Sequence, residues 1–375
     1  MTRQQYSFLN ILKTMAIVMV VTYHCARLVS APFDFTNDMA LVDSLARLFF
    51  NVNSICMPVF FLVNGALLLT RELDLKKHFR RMVHLLILFV IWHVITLICE
   101  LSFWHLDVSV WNYQAIIGFL FGANLENLYN THFWFIPVLL AIYAIFPLIK
   151  KEFDDWQTKP RKNYYLYFFV IFLIAVQQVP SLINTLSLLI PALNELNVPL
   201  GNYSPFATQV GKMLLYFILG GMLFSKREEI ARRFPTALLI AVFCAGLVAL
   251  FCKWCITSDA LQVNYDAVFS GYGTFSTLAM SVALFCLAMK LPELSHKEGM
   301  VPRGLTALFS VTGSFTLAIY YIHWIIGQTV LRNFLGTLTA TNIFALYGYA
   351  ILLTLLISYL CHVLCRFKVI RYFLK

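Results

Sequence analysis

Apolar runs long enough to cross a bilayer follow one another along the chain, separated by short polar segments that concentrate its charge. Ten of them predict transmembrane helices, over residues 9–29, 47–69, 82–103, 132–149, 164–183, 211–225, 235–256, 274–290, 305–331 and 343–365, because about 20 apolar residues span the hydrocarbon core. The first run is interrupted in an informative way: Leu9 to Val29 is apolar except for Asn10, Lys13, Thr14, Thr22, Tyr23, His24 and Arg27. A lysine or histidine is costly inside a membrane and is retained where it faces a protein interior or a water-filled cavity. Lys13 and His24 are eleven positions apart, which at about 100° per residue returns to within about 20° of the same face, about 16 Å further along. One side of one helix therefore carries both groups.

Composition agrees with this pattern. At 60% hydrophobic and 12% charged, with a mean hydropathy of +0.77, the chain is far too apolar for a soluble domain, where about 25% of residues are charged. The expected architecture is one all-α polytopic domain over residues 1–375, a bundle of about ten transmembrane helices. The N-terminus, the even-numbered connections and the C-terminal tail hold every Lys and Arg except Lys13, Arg27, Arg47, Lys212, Lys253 and Arg332. Cytoplasmic loops are enriched in these residues, so both termini are expected in the cytoplasm of a plasma (inner) membrane protein. The net charge of +10 is then mostly topology and calls for no nucleic-acid partner. Val29-Ser30-Ala31 looks like a signal-peptide cleavage site, but the apolar stretch is too long, holds Lys13 and His24, and is followed by Pro32, so the first helix is expected to be retained. Most of the nine cysteines fall within predicted spans, as small hydrophobes do. Cys252 and Cys255 have a C-x-x-C spacing but lack a second ligand pair, so no metal is expected.

The longest connections, about 30–46, 104–131 and 184–210, fall on the outer side and are rich in turn-forming and aromatic residues, as in Trp111-Asn112-Tyr113, Gly122-Ala123-Asn124 and Pro199-Leu200-Gly201-Asn202-Tyr203. Such loops suit a sugar or lipid-headgroup acceptor, or form an interfacial aromatic belt. Depth sorts the remaining polar residues. His24, His132 and His323 all belong to the outer half of the bundle, and Glu100 lies at similar depth, able to orient a histidine or share its proton. Each of these groups also has a plain reading, as a packed core histidine or a wet interfacial carboxylate. At the inner face Arg71, Lys76, Lys77, His78, Arg80, Arg81 and His84 crowd one connection. That cluster reads as topology, as attraction to anionic headgroups, or as a phosphate mouth for the nucleotide end of an acyl-coenzyme A.

Several motifs carry a resemblance. Ser7-Phe8-Leu9-Asn10-Ile11-Leu12-Lys13, followed by Ala16 to Val21 and His24, resembles the opening of the membrane-bound acyltransferase-3 family, which carries an Arg, ten residues and a His on its first helix. Met57 to Leu68 resembles its second-helix motif, with Arg71, Arg80 and Arg81 at the basic positions that follow. Thr131-His132-Phe133-Trp134-Phe135 with Tyr143 and Pro147 is similar to its fourth-span signature, and Ser314 to His323 to its late tyrosine-histidine motif. Three positions depart from the pattern: Lys13 stands for Arg, Asn10 for Asp, and Asn64 for Ser before Gly65. Lysine keeps the charge but lacks the planar fork that clamps carboxylate and phosphate.

The resemblance implies a membrane O-acyltransferase that moves an acyl group, most often acetyl, from cytoplasmic acyl-coenzyme A (a substrate, with no tightly bound cofactor) to a hydroxyl of a cell-envelope glycan or glycolipid. On that reading His24 is general base or transient acyl carrier and Lys13 steadies the pantetheine arm or a developing charge. Glu100 assists them, Arg71, Lys77, Arg80 and Arg81 hold the donor phosphates, and His132, Trp134, Tyr320 and His323 shape the acceptor pocket. An exporter of polysaccharide or lipid-linked sugar is the alternative, and paired helices broken by Gly and Pro would be its sign. A structural membrane subunit would explain the hydrophobicity but not the outer histidines.

Overall fold

The computed structural model describes residues 7–28, 41–103, 131–159, 164–190, 193, 206, 208–262, 265–291, 303–329 and 342–374. In chain order the helices are α1 (Ser7–Ala26), α2 (Leu41–Phe50), α3 (Cys56–Leu69), α4 (Leu75–Phe103), α5 (Phe135–Thr158), α6 (Tyr164–Ser187), α7 (Gln209–Ser225), α8 (Arg227–Arg233), α9 (Thr236–Leu261), α10 (Phe275–Met289), α11 (Arg303–Ser314), α12 (Thr316–Thr329), α13 (Ile343–Leu364) and α14 (Lys368–Leu374), with short 3-10 turns at Asn51–Ile55, Thr131–Trp134 and Ser270–Gly273. The protein is an all-α polytopic membrane protein. Among the described residues seven stretches are long and apolar enough to cross a bilayer on their own. A bent pair covers 307–329, and α7 and α10 are apolar but shorter.

Each of the ten predicted segments lands on a helix, with four corrections. The second begins earlier, because α2 and the Asn51–Ile55 turn carry the apolar run back to Leu41, where a polar connection is expected from the sequence. The third begins at Leu75 instead of 82: Asp74 caps the helix by accepting from the Lys77 N–H at 2.9 Å, so Lys76, Lys77, Arg80 and Arg81 ride on a helix instead of a loop. The fourth runs on to Thr158, placing Lys150 and Lys151 on α5, where Lys150 pairs with Asp154 one turn away. The ninth is not one straight helix but two helices meeting at 75°. Of the three long outer connections, 29–40, 104–130 and most of 191–207 lie outside the described residues.

The two most polar spans are the most enclosed. Within their membrane windows α1 is 67% buried and Leu41–Leu69 is 78% buried, against 28% for each of α4, α6 and α9. Lipid leaves no solvent for a stranded polar group, so the chain surrounds α1 with α3, α10, α11, α12 and α13. Several hydroxyls in the spans bond the carbonyl one turn back, as Thr22 does to Val18 at 2.9 Å and Thr96 to Trp92 at 2.8 Å. The centre is closed by a crossing of α3 and α7 in which backbones touch. A Cβ on Gly65 would lie 1.8 Å from the Phe217 carbonyl oxygen, and one on Gly220 would lie 2.0 Å from that of Leu62. Small residues allow this approach in membranes, where dispersion drives helix association.

That crossing predicts that Gly65→Ala and Gly220→Ala each destabilise the fold by at least about 1–3 kcal/mol, the usual effect of overpacking. Gly348→Ala, whose methyl meets nothing within 4 Å, leaves stability unchanged or slightly raised. Thermal unfolding in detergent checks this, and three equal melting temperatures would remove the crossing as a determinant of the fold.

Candidate active site

Three chain segments that end at the same side of the bundle supply the histidines. His24 closes α1, His132 sits in the 3-10 turn before α5, and His323 lies about two turns into α12. All three are buried, with ring centroids 5.0 Å apart for His24–His323, 5.7 Å for His24–His132 and 6.0 Å for His132–His323. The bend makes this possible. Phe315 N–H bonds the Thr312 carbonyl at 3.1 Å, closing α11, and α12 leaves at a new angle that turns Tyr320 and His323 inward.

The hydrogen bonds of the cluster fix its protons. His323 Nδ1 lies 2.9 Å from the Ile319 carbonyl, which only accepts, so Nδ1 carries the hydrogen. In neutral His323, Nε2 is then the acceptor, and its partner at 3.2 Å is His24 Nδ1, which must donate. A neutral His24 held in this tautomer leaves Nε2 with its lone pair, the form a general base needs. His93 is the instructive contrast. It too is buried in a span, but its Nδ1 bonds Phe89 on its own helix at 2.7 Å, as a packed histidine does, whereas His24 reaches across to another helix.

The surroundings hold these rings in place. The Tyr320 hydroxyl donates to the His132 carbonyl, which makes it a clamp on the turn more than a free substrate contact. The Tyr23 hydroxyl donates to Asp266, whose other oxygen accepts the N–H groups of Val268 and Phe269 at 3.1 Å each. Arg47 donates to the Tyr265 carbonyl at 2.9 Å and lies 4.7 Å from the Trp254 ring. Segment 265–273 is thereby fastened beside the end of α1. Trp134 packs on Phe269 and Tyr272, with centroids 5.7 Å away in both cases, and so forms a wall with that segment. The indole in contact with the histidines is Trp324, 5.3 Å from His24 and 5.2 Å from His132. Its Nε1 is buried and has no hydrogen-bond partner among the described residues. Sequence reasoning missed it, because a tryptophan near the end of a span reads as interfacial.

Lys13 is half-buried on the inner stretch of α1 and forms no ion pair among the described residues. Its neighbours Asn10 and Thr14 face α11: a Cβ on Gly313 would be 3.0 Å from Asn10 Oδ1, and the Thr14 hydroxyl is 3.5 Å from the Phe309 carbonyl. Asn64 has its own task, since its Oδ1 accepts from the Tyr143 hydroxyl at 3.2 Å. Glu100 is on α4, and its side chain lies outside the described residues.

At the opposite end, Arg71, Lys77 and Arg81 line one cavity of about 270 Å³ together with His78, Glu72 and Asp74. Arg80 is exposed and is not part of that wall. His78 is structural: it is buried, and its Nε2 bonds the Tyr143 carbonyl at 2.8 Å. The cavity is therefore mixed in sign. Its acids border the cations, and Asp74 is engaged with the start of α4. Among the described residues no group of three His, Cys, Asp or Glu is arranged to hold a metal ion, and Cys252 and Cys255 are free thiols.

No curated protein and no solved structure matches the chain. A family model described as an acyltransferase domain does match, over residues 6–363, taking in α1 with His24, the turn with His132 and α12 with His323. A match from one end of the helical bundle to the other places the chain in the acyltransferase-3 family, and it is a membrane acyltransferase.

Proposed function

We propose that the protein transfers an acyl group, acetyl in the first instance, from cytoplasmic acyl-coenzyme A to a hydroxyl of a cell-envelope glycan or glycolipid, with both termini on the cytoplasmic side of the plasma membrane. The observation that carries this reading is the His24–His323 pair, whose hydrogen bonds leave His24 Nε2 as the unprotonated nitrogen. In the step proposed, His24 Nε2 takes the proton of the acceptor hydroxyl as its oxygen attacks the thioester carbonyl. The tetrahedral intermediate expels coenzyme A by breaking the C–S bond, and the imidazolium returns its proton to the departing thiolate. The buried Nε1–H of Trp324 is a donor suited to the developing oxyanion. His323 is a positioning residue. Its Nε2 holds His24 in the required tautomer and accepts the extra positive character that His24 gains. His132 packs edge-on against the same ring.

The donor binds from the basic end. Arg71, Lys77 and Arg81 hold its phosphates, the pantetheine arm runs along α1 past Lys13, and the thioester arrives near His24. The exporter reading needs a matched pair of broken helices; the one bent pair among the described residues instead serves to aim His323.

Labelled acetyl-coenzyme A, incubated with the purified protein and a crude envelope-glycan fraction, should transfer label to glycan. His24→Ala should abolish transfer while leaving the melting temperature near wild type. Retained turnover would remove His24 from the mechanism. His323→Phe should lower kcat by about 10²-fold at an unchanged donor KM, and His323→Gln, whose carbonyl can still accept from His24, should recover part of it. Equal loss in both variants would reduce His323 to packing. Arg71→Gln and Arg81→Gln should raise the donor KM with kcat nearly intact, whereas Arg80→Gln should change neither. An equal rise for all three would mean that the cavity does not select among the basic residues.

A further inference from the structure

Beside the histidine site, and separated from it by segment 265–273, is a larger cavity of about 530 Å³ between α6, α7 and α9. Two lysines reach into it from different helices, Lys212 near the start of α7 and Lys253 near the end of α9. Both are half-buried. Among the described residues no carboxylate lines the cavity, and neither lysine forms an ion pair. The remaining polar lining is donor-bearing and uncharged, as with Ser181, Asn184, Thr185 and Ser270. Lysines near helix ends ordinarily extend to the interface. Here the Lys253 ammonium is turned inward, donating to Ser181 Oγ at 2.6 Å, and the stem of Lys212 lies along Gly273, where a Cβ would come within 3.0 Å of it. Two ammonium groups facing one cavity, with no carboxylate beside them among the described residues, favour an anion there.

The cavity also continues in the direction a lipid would take. A second, mostly apolar cavity of about 230 Å³ shares Ser181, Thr185 and Lys253 with the first and is walled by Leu182, Ile256 and Phe275. Leu182 and Phe275 are exposed on the flank of the bundle. A polar chamber with two cations, opening onto an apolar groove at the flank, has the shape of a headgroup site with a place for its chain. We propose that Lys212 and Lys253 bind the phosphate group of a membrane amphiphile, with the hydrocarbon chain in the groove past Leu182 and Phe275. As the seat of a phosphate-bearing glycolipid acceptor this rests on the acyl-transfer reading, since Tyr265, Ser270 and Gly273 line the cavity while Asp266 of the same segment holds Tyr23, the neighbour of His24.

The test measures binding alone. Native mass spectrometry of the full-length protein in detergent, titrated with 1-palmitoyl lysophosphatidic acid, should show one saturable copy per chain. The uncharged 1-palmitoylglycerol should show no saturable binding, and inorganic phosphate should compete only at concentrations at least about tenfold higher. Lys212→Gln and Lys253→Gln should each weaken lysophosphatidic acid binding by about tenfold or more, and Lys253→Arg should retain it. Equal binding of the uncharged lipid, or unchanged binding in both glutamine variants, would overturn the site. Competition by inorganic phosphate as tight as that of the lipid would overturn the amphiphile in favour of a free anion. The wild-type comparison of probes decides even where a variant is unstable. His24→Ala should bind as wild type does, so a failure of the catalytic reading and a failure of this one are distinguishable.

Discussion

A polar group in hydrocarbon must find its partner inside the protein, and α1 has the lowest mean hydropathy of the seven long spans among the described residues. This constraint organises the bundle. α1 and the 41–69 stretch are the enclosed spans, and the spans left on the flank, α4, α6 and α9, are the apolar ones. The enclosure is tight because glycine permits it: α3 meets α7 backbone to backbone at Gly65 and Gly220, and α11 meets α1 where Gly313 faces Asn10. A core closed this way has little freedom to rearrange, so the polar side chains of α1 hold fixed positions relative to the helices around them.

Within that enclosure two solutions to the same problem stand side by side. Thr22 and Thr96 satisfy their hydroxyls on the carbonyl one turn back, which needs no neighbour and carries no message. His24 instead depends on His323, which depends on Ile319. A bond between two histidines is a weak device for stability, because either ring can exchange roles when a proton arrives. It is a good device for keeping one nitrogen basic, because the carbonyl at the end of the chain dictates every tautomer upstream.

The sequence gives up much of this to simple physics and withholds the rest for reasons that can be named. His24, His132 and His323 are legible as a level because depth along a span follows from counting residues at about 1.5 Å each. The site needs no knowledge of packing to be suspected. The 75° break at Phe315 is easily passed over, because a hydropathy count runs straight through it and the segment contains no proline; its signal is Gly313-Ser314, a pair of the kind at which helices kink. Leu75 as the start of α4 is missed because charge marks a helix end in a hydropathy scan even when the backbone is already helical, and only the Asp74 cap reveals it. Trp324 is missed for the opposite reason, since tryptophan has an ordinary place at the interface. Asn64 shows how a departure from a family pattern can have a local partner: its Oδ1 accepts from Tyr143.

The separation of the two ends is itself a constraint on the proposed chemistry. The basic cavity lies at the start of α4 and the histidines lie where α1 ends, so the donor's phosphates and its thioester must be held at opposite sides of the same bundle. Of the candidate residues, Lys13 and His24 lie on one face of one helix, where their spacing is set by helical rise and cannot drift as two loops could. The helices packed around α1 prevent it from tilting to relieve a poor fit. On the proposed reading a pantetheine arm of fixed length laid along such a helix would deliver its thioester to one depth, and the length of α1 between these residues would then select the donor as much as any side chain. Lysine at position 13 suits that role better than a clamp would, because a point charge on a flexible stem steadies an arm that slides past, where a bidentate fork holds what it grips.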